Sequence, residues 1–292
     1  MPKAKQVMRY SALIACAAIW WLAGLYLYLS PNLPEESALR NITLRTPMRV
    51  LSRDGALIGQ FGEQKRKPLQ FEQIPQSFID ALLAAEDDGF FEHSGIEPLS
   101  LIRAVSELLL TGKKGSGGST LTMQVARNYF LTLDQTFLRK FTEILLALQI
   151  EARLSKEEIF ELYVNRVFLG HRAYGFEAAA ETYYGKPLAE LSLAQHAMLA
   201  GVPKAPSRNN PLSNPEKGKI RRDWILGRMA NLGMINVTEQ LAATNTPVTA
   251  SFYGQVVEVD ADYIAEMVRR EMVERFGNAA YNDGYVVYTT VE

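Results

Sequence analysis

The stretch AEDDGFFEHSG, residues 85–95, sets three consecutive carboxylates, a fourth at Glu92 and a histidine beside two phenylalanines, at the end of an apolar run. Glu86 closes that run, so its carboxylate stands near a hydrophobic wall. Burial raises a carboxylate's pKa and neighbouring cations lower it, and the two together can hold a general base near neutral pH. The plainer alternative is a helix end fraying into solvent. Against it, Glu86, Asp87 and Asp88 crowd a helix C-terminus, where negative charge opposes the macrodipole, and local conflicts of this kind gather at functional sites. His93 could serve as a ligand or general acid. The simpler role is a hydrogen-bonded histidine fixing the loop after Glu86.

Two further stretches carry chemistry. In GGSTLTMQVARN, residues 117–128, the side chains of Thr120, Gln124, Arg127 and Asn128 share one helical face, while Leu121 and Val125 turn away. The paired glycines allow a tight approach of backbone to ligand, and a helix N-terminus favours anions. Ser119 is the expected cap. An ordinary solvated face is the alternative. A nucleotide-binding loop is excluded, because Lys113 and Lys114 precede the glycines instead of following them. In RKFTE, Arg139 and Lys140 lie one turn from Glu143. That is either a surface ion pair, worth about 0.3–0.5 kcal/mol, or a cationic clamp of the kind that holds a phosphate leaving group. Glu86 and Glu143 form a candidate carboxylate pair, as glycosyl chemistry commonly uses.

The elements that must position these groups are mostly helical. Residues 48–61 read as a β-hairpin turning at Asp54-Gly55. Apolar spacing at 78, 79, 82 and 83 predicts a helix ending at Glu86. Pro98 and Gly112 bracket another, followed by a flexible basic loop at 113–118. Ser155 with Glu158, and Ser192 with Gln195, make capping boxes for two more. Residues 215–233 and 263–277 are further helices. The segment GYVVYTTVE is strand-like with no later partner, which suggests a fragment, or a sheet completed by residues beyond those given.

Upstream, residues 10–29 contain no charge. As a helix they would run about 30 Å, the thickness of a bilayer core. Lys3, Lys5 and Arg9 precede them, so the positive-inside rule puts residues 1–9 in the cytoplasm and the rest of the chain outside. A cleaved signal peptide is the competitor, but no small-residue cleavage site follows. Residues 30–47 read as a linker, 48–245 as one domain and 246–292 as a connector. A formal net charge of −1 gives no reason to expect a nucleic-acid partner. One cysteine and three scattered histidines argue against a disulfide framework or a zinc site.

Six stretches in order, AAEDDGFFEHSGIEP, GGSTLTMQVARN, RKFTEILLALQIE, LSKEEIFELYVNRVFLG, RAYGFEAAAETYYGK and LSLAQHAMLAGVPKAPSRNNP, resemble the peptidoglycan glycosyltransferase domain of class A penicillin-binding proteins, the family 51 glycosyltransferases. The resemblance implies a mainly α fold: a lysozyme-like helical lobe with a small membrane-associated jaw, preceded here by one transmembrane helix and a short hairpin. It implies an enzyme of the bacterial cytoplasmic membrane that polymerises lipid II into glycan strands on the periplasmic side. Glu86 would be the general base and Glu143 the second carboxylate. Arg127, Arg139 and Lys140 would hold the pyrophosphate, with Asp87, Phe90, His93, Thr120, Gln124 and Asn128 at cleft positions. The implied partners are lipid II, the growing glycan strand, membrane lipid and other cell-wall synthesis proteins. A magnesium or manganese ion at the pyrophosphate is allowed, although no ligand spacing requires one. Many members carry QQLAKN where this chain has MQVARN. Arg127 keeps the charge of the usual lysine and adds bidentate geometry, so activity should survive. The apolar run at 101–118 with trailing lysines suits a membrane interface, or else a plain core helix. A lytic, lysozyme-like hydrolase and a non-catalytic membrane-anchored module are the competing functions. No S-x-x-K occurs, so these residues alone should not acylate with β-lactams, and the resemblance implies a transpeptidase after residue 292.

Overall fold

The computed structural model describes Cys16, Trp20, Ala23, Gly24 and residues 26–29, 48–61, 68–112, 118–131, 137–171, 173–253, 261–277 and 279–291. Within the expected 10–29 span the described residues are helical. The remainder of that span, the tail 1–9, the linker 30–47 and most of the basic loop lie outside the described residues. No described helix is long and apolar enough to cross a membrane.

A small sheet comes first. Strands β1 (Met48–Leu51) and β2 (Leu57–Phe61) form the expected antiparallel hairpin, turning through Gly55 at φ +91°. Helices then follow: α1 (Gln76–Glu86), α2 (Pro98–Thr111), α3 (Leu121–Phe130), α4 (Phe137–Glu151), α5 (Lys156–Arg166), α6 (Phe176–Tyr184), α7 (Leu193–Ala200), α8 (Pro215–Asn231) and α9 (Val237–Asn245). After these come α10 (Asp262–Phe276), the short α11 (Ala279–Asn282) and strand β3 (Val286–Tyr288).

One core unites α1 with α3 through α9. Phe78 and Leu82 of α1, Leu121 and Val125 of α3, Leu146 of α4, Phe160 and Tyr163 of α5, Phe176 of α6, Leu199 of α7 and Ile225 of α8 are all sealed in it. The apolar stripe that predicts α1 is the face that fills this core, so the helix must end where Glu86 meets it. Both capping boxes form as expected, at Ser155–Glu158 and Ser192–Gln195.

The C-terminal strand does have a partner, and it is an earlier one. β3 pairs in parallel with β1, Val287 opposite Val50, giving the sheet order β2-β1-β3. The hairpin also sits differently from the expected division at 48–245 and 246–292. Met48, Val50 and Ile58 form a second core with Ala265 of α10, flanked by Val268, Met272, Tyr285 and Val287. The physical reason is area: a two-stranded hairpin buries too little apolar surface to stand alone, and the amphipathic α10 supplies the missing cover. The two ends of the described domain therefore meet in one sheet.

The helix α2 is not a plain core helix. Leu99, Ile102 and Leu110 are 77%, 65% and 85% exposed, an apolar face that the other described residues leave uncovered.

Gly59 fits against α10 so closely that an added Cβ would lie 2.9 Å from the Ala265 Cβ. Gly59→Ala should cost about 1–3 kcal/mol through overpacking. Hydrogen exchange should then show lost protection in β1, β2, β3 and α10, with α1 and α7 unchanged, since they belong to the other core.

Candidate active site

The site begins where α1 runs out of apolar residues. Glu86 is the last residue of the helix, and Asp87 leaves it with φ −164°. The Glu86 Oε2 accepts from Gln124 Nε2 at 3.0 Å, whereas Oε1 is buried and has no hydrogen-bond partner among the described residues. Gln124 is itself buried, and its Oε1 takes the Tyr163 hydroxyl at 3.4 Å, which aims the amide nitrogen at the glutamate. Burial pushes the Glu86 carboxyl above its ordinary range; the Gln124 hydrogen bond and the charges of Arg221, Lys204 and Arg127 pull against it. Burial also lifts the Tyr163 phenol far above its ordinary value, with the Glu86 charge adding to it, so Tyr163 stays a proton donor. The result is a carboxylate with one oxygen anchored and the other sealed from water and unengaged: the arrangement of a general base.

Around it the loop 87–95 is welded to the N-terminus of α3. The Asp87 Oδ2 accepts the Leu121 N–H at 2.8 Å, where the helix macrodipole favours an anion. His93 Nε2 lies 3.0 and 3.1 Å from the two Asp87 oxygens, and His93 Nδ1 accepts the Gly95 N–H at 3.1 Å. An Nδ1 that accepts leaves the proton on Nε2, where it is donated to Asp87. The histidine is thus the loop-fixing residue of the simpler reading. Thr120, not the expected Ser119, caps α3: its Oγ1 accepts the Met123 N–H at 3.2 Å and donates to the Gly95 carbonyl at 2.6 Å. Gly95 adopts φ +86°, and a Cβ there would press within 2.8 Å of Glu151 Cγ and 3.0 Å of the Ala147 carbonyl.

Of the residues placed at cleft positions by the resemblance, Asp87, Phe90, Thr120 and Gln124 are buried, Phe90 and Thr120 most deeply. Phe90 is fully enclosed, packed against Phe91, His93 and Phe160 with Lys156 Nζ 4.5 Å above its ring. Thr120 is 4% exposed and both its hydrogen-bonding roles are filled. These side chains shape the wall from behind; periodicity cannot distinguish that from lining it. Met123 is fully buried as well, which explains why a polar residue is dispensable there. Asn128 is partly buried, and its backbone carbonyl accepts from Arg166 Nε at 3.3 Å.

The RKFTE cluster is not a surface ion pair. Glu143 is 1% exposed, with Arg139 Nε 3.3 Å from Oε1 and Lys140 Nζ 3.0 Å from Oε2. Oε2 is hydrogen-bonded to Lys140, whereas Oε1 faces Arg139 at ion-pair distance without a hydrogen bond among the described residues. Lys140 Nζ also donates to Ser119 Oγ at 2.6 Å, beside the α3 cap. From Thr120 to Gln124 is about one helical turn, roughly 6 Å. The first turn of α3 thus has the cationic cluster at its start and the Glu86 amide partner at its end. Arg127, three residues further along α3, is partly buried and its charge acts on Glu86.

Sequence reading misses Tyr163, Lys204 and Arg221. Arg221 Nη2 donates to the Ala85 carbonyl at 3.0 Å, and its guanidinium stacks on Trp224 at 4.2 Å. The one available signal is the spacing of Arg221, Trp224 and Arg228 at i, i+3 and i+7 on a helix that a solvated face would not need.

The transglycosylase family model matches residues 54–230. Penicillin-binding protein 1A of Pseudomonas aeruginosa is 56% identical over 278 residues, which are 95% of this chain and 34% of that protein. Penicillin-binding protein 1A of Escherichia coli is 44% identical over 269 residues, 92% of this chain and 32% of that protein. The crystal structure of penicillin-binding protein 1A from Haemophilus influenzae matches with a TM-score of 0.54 and 35% identity, covering 86% of this chain and 28% of that one. The chain spans about a third of the length of the curated relatives it matches.

A carboxylate whose folded pKa is raised costs stability above its unfolded pKa, and that cost disappears as pH falls and the group is protonated in both states. Glu86→Gln removes the cost while keeping the Gln124 hydrogen bond. The variant should melt a few degrees higher than the parent at pH 8, about 2–4 °C for each kcal/mol. The difference should shrink toward zero below the unfolded value of 4.5. Scanning calorimetry across that pH range checks it.

Proposed function

The chain belongs to the transglycosylase family, and on that premise we propose that it polymerises lipid II into peptidoglycan glycan strands by inverting glycosyl transfer. The observation that carries this reading is the sealed, unengaged oxygen of Glu86, whose amide partner Gln124 lies on the first turn of α3, the turn that Lys140 meets at Ser119.

In this reading Glu86 Oε1 takes the proton of the acceptor N-acetylglucosamine 4-hydroxyl. The oxygen attacks the anomeric carbon of the donor chain's terminal N-acetylmuramate. The new C1–O4 bond forms as the bond from C1 to the diphosphate oxygen breaks, and undecaprenyl pyrophosphate leaves. Its charge is received by Arg139, Lys140 and Arg127, which suit a leaving group that gains negative charge in the transition state. Glu143 does not need to move a proton. Holding Lys140 by a hydrogen bond at Oε2 and facing Arg139 with its charge at Oε1, it keeps two adjacent cations from repelling each other apart. The Asp87 oxygens are likewise taken by His93 and the Leu121 N–H. No group of three or more His, Cys, Asp or Glu among the described residues could hold a metal. Any magnesium or manganese ion would sit on the diphosphate itself.

The substrate's polyprenyl tail cannot leave the bilayer, so the enzyme must work at its surface. The exposed Leu99, Ile102 and Leu110 of α2 support its role as the membrane-facing jaw. The uncharged span at 10–29 is the anchor of this reading, with the N-terminus cytoplasmic and the catalytic lobe periplasmic. Membrane lipid and other cell-wall synthesis proteins are then the neighbours.

Lipid II polymerisation by the purified chain tests the proposal. The parent should extend glycan, and Glu86→Gln should lose about 10²- to 10⁴-fold, the ordinary worth of a general base. Glu143→Gln should lose less and chiefly through KM, because it disturbs the cations instead of the base. Release of short fragments from finished glycan, without polymerisation, would instead assign a lytic hydrolase.

A further inference from the structure

Among the described residues, Arg221 is the one charged side chain near Glu86 that also grips the helix carrying it. Its Nη2 bonds the carbonyl of Ala85, the residue before the base and one of the last carbonyls of α1, which has no intrahelical partner to rely on. Three consecutive acids at that helix end oppose the macrodipole, and a cation on the terminal carbonyls offsets them. The side chain is held at its stem and at its guanidinium, while its buried Nε has no hydrogen-bond partner among the described residues. Gly201 leaves it room, since a Cβ there would fall 2.8 Å from Arg221 Cγ. Trp224 backs the guanidinium at 4.2 Å. The same face of α8 makes a second tie, Arg228 Nη2 to Asp88 Oδ2 at 2.8 Å, with Arg228 also 5.9 Å from the Trp224 ring. One helix thus clamps the chain on both sides of Glu86, at Ala85 and at Asp88.

We infer that Arg221 is a positioning residue for the base: it fixes the last turn of α1 and supplies the balancing charge that lets Glu86 stay ionised in a site sealed from water. This rests on Glu86 being the general base. The groups that bear on Glu86 from each element around it are Gln124 and Arg127 of α3, Tyr163 of α5, Lys204 of the loop after α7 and Arg221 of α8. Lys204 is exposed and screened by solvent, and Arg127 is committed to the diphosphate in the proposed reaction. Of these charged groups, all among the described residues, Arg221 alone combines partial burial with a direct bond to the helix that ends in the base. Burial lowers the Arg221 pKa from its ordinary value, Arg228 adds to this, and the Glu86 charge opposes it. Starting from a value near that of free arginine, the group remains protonated at neutral pH.

The test is the pH profile of kcat/KM for lipid II polymerisation, whose ascending limb reports the base of the free enzyme. Removing a cation beside a carboxylate raises its pKa, so Arg221→Gln should move that limb up by about one pH unit, with activity recovering at high pH. Arg221→Lys keeps the charge and loses the fitted bond to Ala85, so it should leave the limb in place and lower kcat. Trp224→Ala releases the guanidinium without removing it and should shift the limb the same way by less, which serves if Arg221→Gln does not fold. A merely structural arginine would lower kcat at every pH alike. An unmoved limb in folded Arg221→Gln, or in Trp224→Ala where the glutamine variant does not fold, overturns the inference. Glu86→Gln run alongside separates the two claims: if it still polymerises, the assignment of the base fails, whatever Arg221 does.

Discussion

Everything in this site follows from placing one carboxylate at the point where an apolar helix ends. Glu86 belongs to α1, whose buried face is part of the main core, so its carboxylate is delivered to a place from which water is largely excluded. Such a group would neutralise itself unless something held it charged. Its environment supplies a hydrogen bond to one oxygen from Gln124 and the fields of three cations spread over α3, α8 and the loop after α7. None of these saturates the carboxylate. Oε1 is left without a partner, and the energetic discomfort of that orphan is what a base needs. Site and stability are therefore opposed here in a single residue.

Helix α3 turns that local fact into an arrangement. Its N-terminus holds Asp87 through the Leu121 N–H, its cap Thr120 holds the Gly95 carbonyl, the preceding Ser119 receives Lys140, and its first turn ends at Gln124. A change in the pitch or position of this turn would move the base partner and the cation cluster together. The loop 87–95 can follow only because Gly95 takes a conformation and an approach that no side chain would permit. Behind the loop, Lys156 bonds both the His93 carbonyl and Glu151, which in turn accepts from Thr122. The wall is stiff because its polar atoms are paired with one another.

Much of this was legible in the residues. Apolar spacing located α1 and placed Glu86 at its end, and the shared face of Gln124 and Arg127 was readable because helical period is a property of sequence. Direction into the core was not. Phe90 and Thr120 look like ligand-facing residues until packing shows them buried, and RKFTE reads as a surface ion pair until Glu143 is found 1% exposed. Sequence neighbours decide period, but tertiary contacts decide which side is inside. For the same reason Arg221, 135 positions from Glu86, carries only its spacing with Trp224 and Arg228 as a local mark, and nothing that ties it to the base. The C-terminal strand fell to the same limit: its partner β1 precedes it by more than two hundred residues, and only the assembled sheet reveals the pairing.

Glu86 is the centre of the site: a carboxylate whose proton affinity is raised by burial and restrained by its neighbours. Carboxyl-carbon NMR of glutamate-labelled protein, parent against Glu86→Gln, isolates that one signal and titrates it directly. The account predicts a resonance with its midpoint above the ordinary glutamate value of 4.5 and sensitive to the state of the surrounding cations. A midpoint at or below 4.5 would mean a solvated helix end, and the general-base assignment would not stand.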